Sequence, residues 1–541
     1  MKERIIILGA GVMQGPAIRI AGEMGLFTIV LDADPQAPCV SLADRFERID
    51  LKDREGIEAF ARSLQSKGGL SGIMTAGTDF SASVAWVAER LGLPGIPYEA
   101  ALNASDKQRM RSCFDKAGVP SPAFTVLREA PGTDQANFLP FPYPVVVKPV
   151  DNMGSRGCRR VDDSSELGDA VRDALGFSRS GRVIVESYMD GPEFSVDAIV
   201  YHGEITICGL ADRHIFFPPY FIEMGHTMPT LFPAEQQRAL LDAFGQAVRS
   251  LGLAGESSCG AAKGDIKLSS QGPMIGEVAA RLSGGYMSGW TYPYASGVEP
   301  VRAAIQMAIG RKPDGLVPSR SWTCAERAFI SIPGRVRSIQ GLEEAKSVQG
   351  VRDLFLRAEP GKEVRFPENN VTKCGNILAV APGREEAVGA AEKAARSVLI
   401  RLEAPNAGTD AFMAGANGTA AFPPDAFVLG PELRVALEKL PDPVPAGNGD
   451  LSLVPFPQFI SSALKDYAGR GGAESLDAVR RVTGLALPLA EDTARQGMLG
   501  RSFWKALVRG GYQGAVYFLD NLTETGGKNW ASREKSPAKG S

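Results

Sequence analysis

The sequence predicts an α/β protein, and three observations predict it. Strand-like and helix-like patterns alternate through the first hundred residues, as in a doubly wound parallel sheet. Residues 320–404 carry short apolar strand patterns with only a helix or two, a smaller β-rich unit. A helix-leaning segment follows at 431–520, so the 541 residues divide into several domains.

The first strand is the apolar run from Arg4 to Leu8. It turns at Gly9-Ala10-Gly11 into a helix with Pro16 in its first turn and Gly25 near its end. A second strand, 28–31, ends at Asp32, and a third covers 72–75. The helix after the third places Val84, Val87, Ala88 and Leu91 on one face before Gly92. Gly9 and Gly11 with Asp32 suggest a dinucleotide-binding turn, but Gln14 stands where the third glycine belongs. A structural or substrate-binding turn is the favoured reading.

A new unit begins near Ser105, where Ser105 to Gln108 has the pattern of a capping box. Met110, Cys113, Phe114 and Ala117 form an apolar helix face closed by Gly118. A proline-rich connection leads to the buried strand 144–149, then the loop from Asp151 to Gly157. Residues 405–430 have a linker composition, and the tail 523–541 is polar and predicted to be disordered.

Composition narrows the function classes. Lys and Arg number 59 against 62 Asp and Glu, a net charge of −3, which argues against a nucleic-acid or membrane-surface partner. Seven scattered cysteines, none in a CxxC pair, fit reduced thiols and a cytoplasmic setting. No apolar run approaches the ~18–20 residues of a spanning helix, and the first residues lack the pattern of a signal peptide. Glycine is in excess, 61 residues, so many tight backbone sites are expected.

Four features carry chemistry. Lys148 ends an apolar strand just before a Gly/Ser loop with Arg156, a fixed cation beside backbone N–H groups that suits a polyphosphate. Glu186 ends a strand, and beyond it Glu193, Ser195 and Asp197 alternate with Phe194, Val196 and Ala198, giving one polar strand face. A hairpin symmetric about Gln271 sets Asp265 opposite Glu277, and like charges across a sheet call for a compensating cation. Arg281 then precedes the Gly284-Gly285 bend, a permanent cation where backbone can approach a ligand.

Lys107, Lys148-Pro149, Gly154-Ser155-Arg156-Gly157, Glu186, Glu193, Asp265, Glu277 and Arg281-Leu-Ser-Gly-Gly285 stand in the order and approximate spacing of a known family. From residue 1 to about 404 the chain resembles the ATP-grasp superfamily of carboxylate–amine ligases. It looks closest to dipeptide-forming L-amino-acid ligases and to carbamoyl-phosphate-synthase-like members. The resemblance implies an ATP-grasp fold with an N-terminal α/β domain at 1–104, a small lobe at 105–185 and a large catalytic lobe at 186–315. It implies a C-terminal β-rich lobe at 316–404; the helical segment 405–522 is an accessory without a family counterpart.

By the same resemblance Lys107 and Lys148 touch ATP phosphates, and the loop with Gly154, Ser155, Arg156 and Gly157 closes over them. Glu186, Ser187, Tyr188 and Met189 form the adenine hinge, and Glu193 binds the ribose. Asp265 and Glu277 hold Mg²⁺, with Mn²⁺ as an alternative, and Arg281 faces the acyl phosphate. The segment from Phe221 to Pro229 resembles one lining an amino-acid site, which makes Glu223 and His226 substrate contacts, in reach of orienting the amine or taking its proton. Tyr286, Trp290 and Tyr292 read either as core or as specificity determinants. One departure is Ala279, where the family usually has Asn as a metal ligand.

The implied reaction joins a small carboxylate and an amine through an acyl phosphate, with release of ADP and phosphate. Two alternatives stand beside it: a bicarbonate-using carboxylase or carbamoyl-phosphate-synthase-like enzyme, and a nucleotide-binding regulatory protein without turnover. The expected partners are small-molecule substrates and, for assembly, a second copy of the chain.

Overall fold

A computed structural model describes residues 2–132, 139–415, 422–443, 451–493 and 497–525. The chain divides into two compact units, residues 1–326 with 380–388 and residues 327–379 with 389–541.

The first unit begins with a parallel sheet in the order Arg45–Arg48, Phe27–Asp32, Arg4–Leu8, Gly72–Met74. Ile5 to Leu8 are fully buried because helices cover both faces of this central strand. The helix Ser81–Leu91 stops where Gly92 takes the left-handed conformation. Gln14 explains the imperfect glycine fingerprint: its amide oxygen accepts the Gly11 N–H at 3.0 Å, and its amide nitrogen donates to the Ala76 carbonyl. The turn is thus closed by a side chain of its own.

The expected capping box is displaced. Ser105 is the last residue of a helix, Tyr98–Ser105, and its hydroxyl donates back to the Ala101 carbonyl. The cap of the next helix, Lys107–Ala117, is Asp106, whose carboxylate accepts the Arg109 N–H at 3.0 Å. An acidic cap one residue later outcompetes the serine because it also favours the positive helix terminus.

Two antiparallel sheets follow. One runs Phe124–Leu127, Val183–Ser187, Val145–Pro149, Arg159–Val161. The other contains Gly272–Ala279, Cys259–Ser269, Glu193–Tyr201, Glu204–Phe216 and Ile222–Met228 in that order, with Cys324 and Ala325 pairing to the last. Strand alternation sends Phe194, Val196, Ala198 and Val200 into a core with Phe244 and Leu240 of the helix Ala234–Ser250. Ser195 and Asp197 are buried on the opposite face, so that polar face is not a solvated one.

In the second unit Gly334–Gln340 lies between Glu363–Val364 and Leu399–Leu402, and Val351–Leu356 pairs antiparallel with Gly375 to Ala379. Its second core gathers Phe427, Phe459, Phe503 and Trp504. Residues 327–379 and 389–404 of the expected β-rich lobe fall in this unit together with the helical segment beyond 404, whereas 316–326 and 380–388 fall in the first. Arg401 pairs with Asp520 at 2.8 Å, and the Gln513 amide donates to Ser331 at 2.8 Å. The last helix, Arg501–Thr525, extends past the expected start of the tail at 523; residues 526–541 lie outside the described part. Among the described residues no helix is long and apolar enough to cross a membrane.

Candidate functional site

Lys107 opens the helix Lys107–Ala117, and its Nζ donates to the Asn152 carbonyl at 2.8 Å and lies 3.5 Å from Glu277 Oε1. Burial works against its charge, but Glu277, Asp79 and Glu186 outweigh that and hold the ammonium pKa above its ordinary value. Lys148 sits on the neighbouring sheet with Nζ 2.7 Å from Glu186 Oε2. Glu186 was expected in the adenine hinge. Its carboxylate is enclosed, 2% exposed, between Lys148 and Arg111, whose Nε donates across 2.9 Å. Burial pushes Glu186 up, and those two cations more than reverse it, holding the carboxyl below its usual range.

Arg111 is one helical turn beyond Lys107, so both point the same way. Its Nη2 reaches the Gly276 carbonyl at 2.6 Å, beside Glu277. The sequence contained a weak signal for it: an arginine between Met110 and Phe114, within an otherwise apolar helix face.

The loop after Pro149 turns through left-handed backbone at Gly154, Ser155 and Gly157 (φ 66°, 60° and 66°). Ser155 carries a side chain in that conformation, which costs about 1–2 kcal/mol. Arg156 Nε donates to Asn152 Oδ1 at 3.0 Å, which folds the loop over the Lys107 anchor. Beyond Glu186, the Ser187 N–H donates to the Ala123 carbonyl at 2.9 Å and the Tyr188 N–H to the Pro144 carbonyl at 3.1 Å. Arg160 and Lys267 lie 4.5 and 5.3 Å from the centre of the Tyr188 ring, and Lys267 Nζ donates to the Met189 carbonyl at 3.1 Å.

Asp265 and Glu277 are direct partners across the hairpin, as expected, though by a different route. The turn has two residues between the paired Ser269 and Gly272, and a bulge beside Asp265 restores the opposition. Burial raises Glu277, but Lys107, Lys263, Lys148 and Arg281 pull it down to about 2. Asp265 is likewise held low against burial by Arg213 and Lys263, with Glu277 opposing. Two ionised carboxylates on one hairpin are hard oxygen donors of the kind Mg²⁺ takes, so the residues fit that ion. Arg213 Nη1 at 3.2 Å and the Lys263 ammonium occupy Asp265 meanwhile.

Arg213, absent from the sequence reading, links three expected residues: Glu193, Asp265 and Glu223, the last at 2.9 Å. Its only sequence signal was the charged triplet Asp212-Arg213-His214 inside a strand. Glu223 Oε2 lies 3.7 Å from His226 Nε2, and His226 Nδ1 lies 2.7 Å from Glu326 Oε2. Glu326, also missed, is a carboxylate within the apolar run Cys324-Ala325 to Ala328-Phe329, fully buried. Gly285 adjoins this group: a Cβ there would stand 2.9 Å from Glu223 Oε1 and 3.4 Å from His226 Cε1. Arg281 donates to the Leu282 carbonyl at 3.0 Å, and its Nε is a buried donor without a partner among the described residues. Tyr292 and Tyr286 are core residues; Trp290 is half-buried.

The first unit thus pairs Lys107 with Glu277, joins Lys148 and Arg111 on Glu186, and brings Glu193, Glu223 and Asp265 together through Arg213. Residues 141–288 match the model of the ATP-grasp domain, and residues 328–403 match that of the L-amino acid ligase C-terminal domain 2. Carnosine synthase 1 of Gallus gallus is 27% identical over 70% of this chain and 43% of its own length. A D-alanine–D-alanine ligase of Pseudomonas fluorescens strain Pf0-1 is 32% identical over 30% of this chain and 52% of its own. The chain therefore spans about half the length of these two relatives. The L-amino acid ligase structure from Bacillus licheniformis superposes with a TM-score of 0.64 at 23% identity, covering 74% of this chain and 99% of that one, a likeness of fold. The chain thus contains an ATP-grasp domain, in a fold of the ATP-grasp type. Its 328–403 region is of the L-amino acid ligase C-terminal type.

Proposed function

We propose that the chain is an ATP-dependent carboxylate–amine ligase acting on an amino acid or similar small carboxylate, forming an amide or peptide bond through an acyl phosphate. The observation that carries the reading is the pairing of Lys107 with Glu277 and of Lys148 with Glu186, beside Asp265 directly opposite Glu277. Those charges balance one another without ligand and can be redistributed when a polyphosphate enters.

Lys107 and Lys148 neutralise phosphate oxygens while the substrate carboxylate attacks the γ-phosphorus in line. The loop 151–157 covers the phosphates, the 187–189 stretch lies against adenine, and Glu193 takes the ribose. Asp265 and Glu277 would hold Mg²⁺ or Mn²⁺, whose charge would further offset that of the phosphates. Arg281 stabilises the oxyanion formed when the amine attacks the acyl carbon. Glu223 and His226 contact the amine. In this reading 1–104, 105–185, 186–315 and 316–404 are the α/β domain, small lobe, catalytic lobe and β-rich lobe, with 405–522 an accessory. The setting is the cytoplasm, and assembly is as a homodimer.

A screen of ADP release with pooled amino acids, followed by mass spectrometry of the product, tests this. An amino-acid-dependent ADP signal with a matching condensation mass supports it; release stimulated by bicarbonate alone overturns it in favour of a carboxylase. Ala279, in place of an oxygen ligand, favours the regulatory alternative, for which the outcome is ATP binding with no ADP formed from any acid and amine offered.

A further inference from the structure

Asp197 is fully buried in the middle of the strand Glu193–Tyr201. Its register partners are Gly209 on one side and Lys263 on the other, and the Lys263 ammonium goes to Asp265 instead. Among the described residues, Lys263 and Arg281 favour its charge only from a distance, without an ion pair. What Asp197 holds is one residue of the bend after Arg281. Its Oδ1 accepts the Ser283 N–H at 3.0 Å, and its Oδ2 accepts the Ser283 hydroxyl. A buried carboxylate without a counter-charge is a costly way to satisfy two donors. Proteins keep such costs where a site needs them.

The peptide group that gives Asp197 its N–H also carries the Leu282 carbonyl. A peptide is planar, so its N–H and C=O turn together. That carbonyl accepts Arg281 Nη1 at 3.0 Å and the Gly77 N–H at 3.4 Å. On the side of Gly77 the bend packs backbone to backbone, since a Cβ on Gly284 would stand 3.3 Å from the Gly77 oxygen. Rotation of this one plane would therefore release Ser283 and Arg281 together.

We propose that Asp197 is a positioning residue that fixes the Leu282–Ser283 peptide plane and, through its carbonyl, the Arg281 guanidinium. This rests on the ligase reading above, in which Arg281 meets the oxyanion formed as the amine attacks. Asp197 touches no substrate. It acts through two hydrogen bonds in series, Ser283 N–H to Asp197 Oδ1 and Arg281 Nη1 to the Leu282 carbonyl.

The test is steady-state ADP release by the full-length protein with the amino acids found by the screen. Asp197→Asn keeps the shape and one oxygen acceptor, and is expected to lower kcat roughly tenfold; Asp197→Ala keeps no acceptor and lowers it roughly a hundredfold. In Asp197→Asn the KM of ATP stays within about threefold, because the lost interaction lies on the Arg281 side of the site and not among the phosphate-binding lysines. Adding Asp197→Asn to Arg281→Ala costs less than about twofold beyond Arg281→Ala alone, because the plane then holds no guanidinium. Wild-type kcat in Asp197→Asn, an ATP KM that rises in step with the loss of kcat, or losses that multiply in the double variant would each overturn the proposal. Should Asp197→Ala fail to fold, the isosteric Asn variant and the double variant decide. A wild type that forms no ADP with any amino acid overturns the ligase reading and this proposal with it, whereas an active wild type matched by Asp197→Asn overturns the proposal alone.

Discussion

Arg111 Nε donates to Glu186 Oε1 across 2.9 Å, and both side chains are sealed from solvent. The same Glu186 carboxylate receives Lys148 on its other oxygen, and the same guanidinium reaches the Gly276 carbonyl on the hairpin that bears Glu277. Glu186 thereby stands between Lys148 and the helix that starts at Lys107.

Removing Arg111 leaves the buried Glu186 carboxylate to Lys148 alone. Arg111→Met is expected to cost about 3–5 kcal/mol of stability in urea unfolding, the usual result of breaking a buried pair from one side. Adding Glu186→Gln to it recovers part of that loss, since the uncompensated charge is then gone. A double variant as unstable as the single one would show that Arg111 acts through packing.

Lys148→Ala is expected to lower ADP formation by roughly 10²–10³-fold, the loss typical of one preorganised donor in an active site. Its melting temperature should stay near that of the wild type, because Arg111 still satisfies Glu186. Turnover at the wild-type rate would remove Lys148 from the chemistry.

Glu277 is held at about 2 by Lys107 and its neighbours, against an ordinary value of 4.5. A depressed carboxyl stabilises the folded state above its unfolded pKa, and that contribution disappears as pH falls through the folded value. Between pH 5 and 2, Glu277→Gln should therefore lose stability less steeply than the wild type in chemical denaturation. The same variant should need on the order of tenfold to a hundredfold more Mg²⁺ for half-maximal ADP release. Chelation of the metal should stop release in both.

Asp197 behaves in the opposite sense. Burial pushes it up to about 6 even though Ser283 donates to it from its N–H and its hydroxyl. The neutral form is favoured in the fold, so the stabilisation is complete below the unfolded pKa near 3.8 and is lost as pH rises through about 6. Asp197→Asn is expected to flatten the fall in stability between about pH 4 and 6.5, by up to about 3 kcal/mol for two pKa units. An unchanged slope in thermal melts would assign the pH response to other groups.

Gly285→Ala puts a methyl group 2.9 Å from Glu223 Oε1 on backbone with φ 58°. The amine KM is expected to rise severalfold while the KM of ATP stays constant. Equal effects on both would mean that the strain is spread through the bend rather than held at the Glu223 side.

The elements that the sequence made legible are those with one dominant local cause. The strand at Arg4–Leu8 was visible in full because its residues are buried on both faces, and the Ser81–Leu91 helix because Gly92 ends it. The opposition of Asp265 and Glu277 was legible only because two deviations cancel, a tighter turn and a bulge. Residues that act through another chain segment left little trace. Arg111 meets Glu186 75 positions away and Glu326 meets His226 100 positions away, and no local period encodes a contact at such distances. The Ser105 cap failed for a local reason, since Asp106 next to it is the better acceptor for a helix terminus.

The helix Lys107–Ala117 sets Lys107 and Arg111 four residues apart, about 6 Å along the axis and on nearly one bearing. Its geometry therefore acts as a vernier between the lysine that meets Glu277 and the arginine that meets Glu186. A single residue inserted between them would swing Arg111 by roughly 100° and uncouple the two strands it joins, with every side chain still present. Engineering of this protein must accordingly keep the number of residues between Lys107 and Arg111.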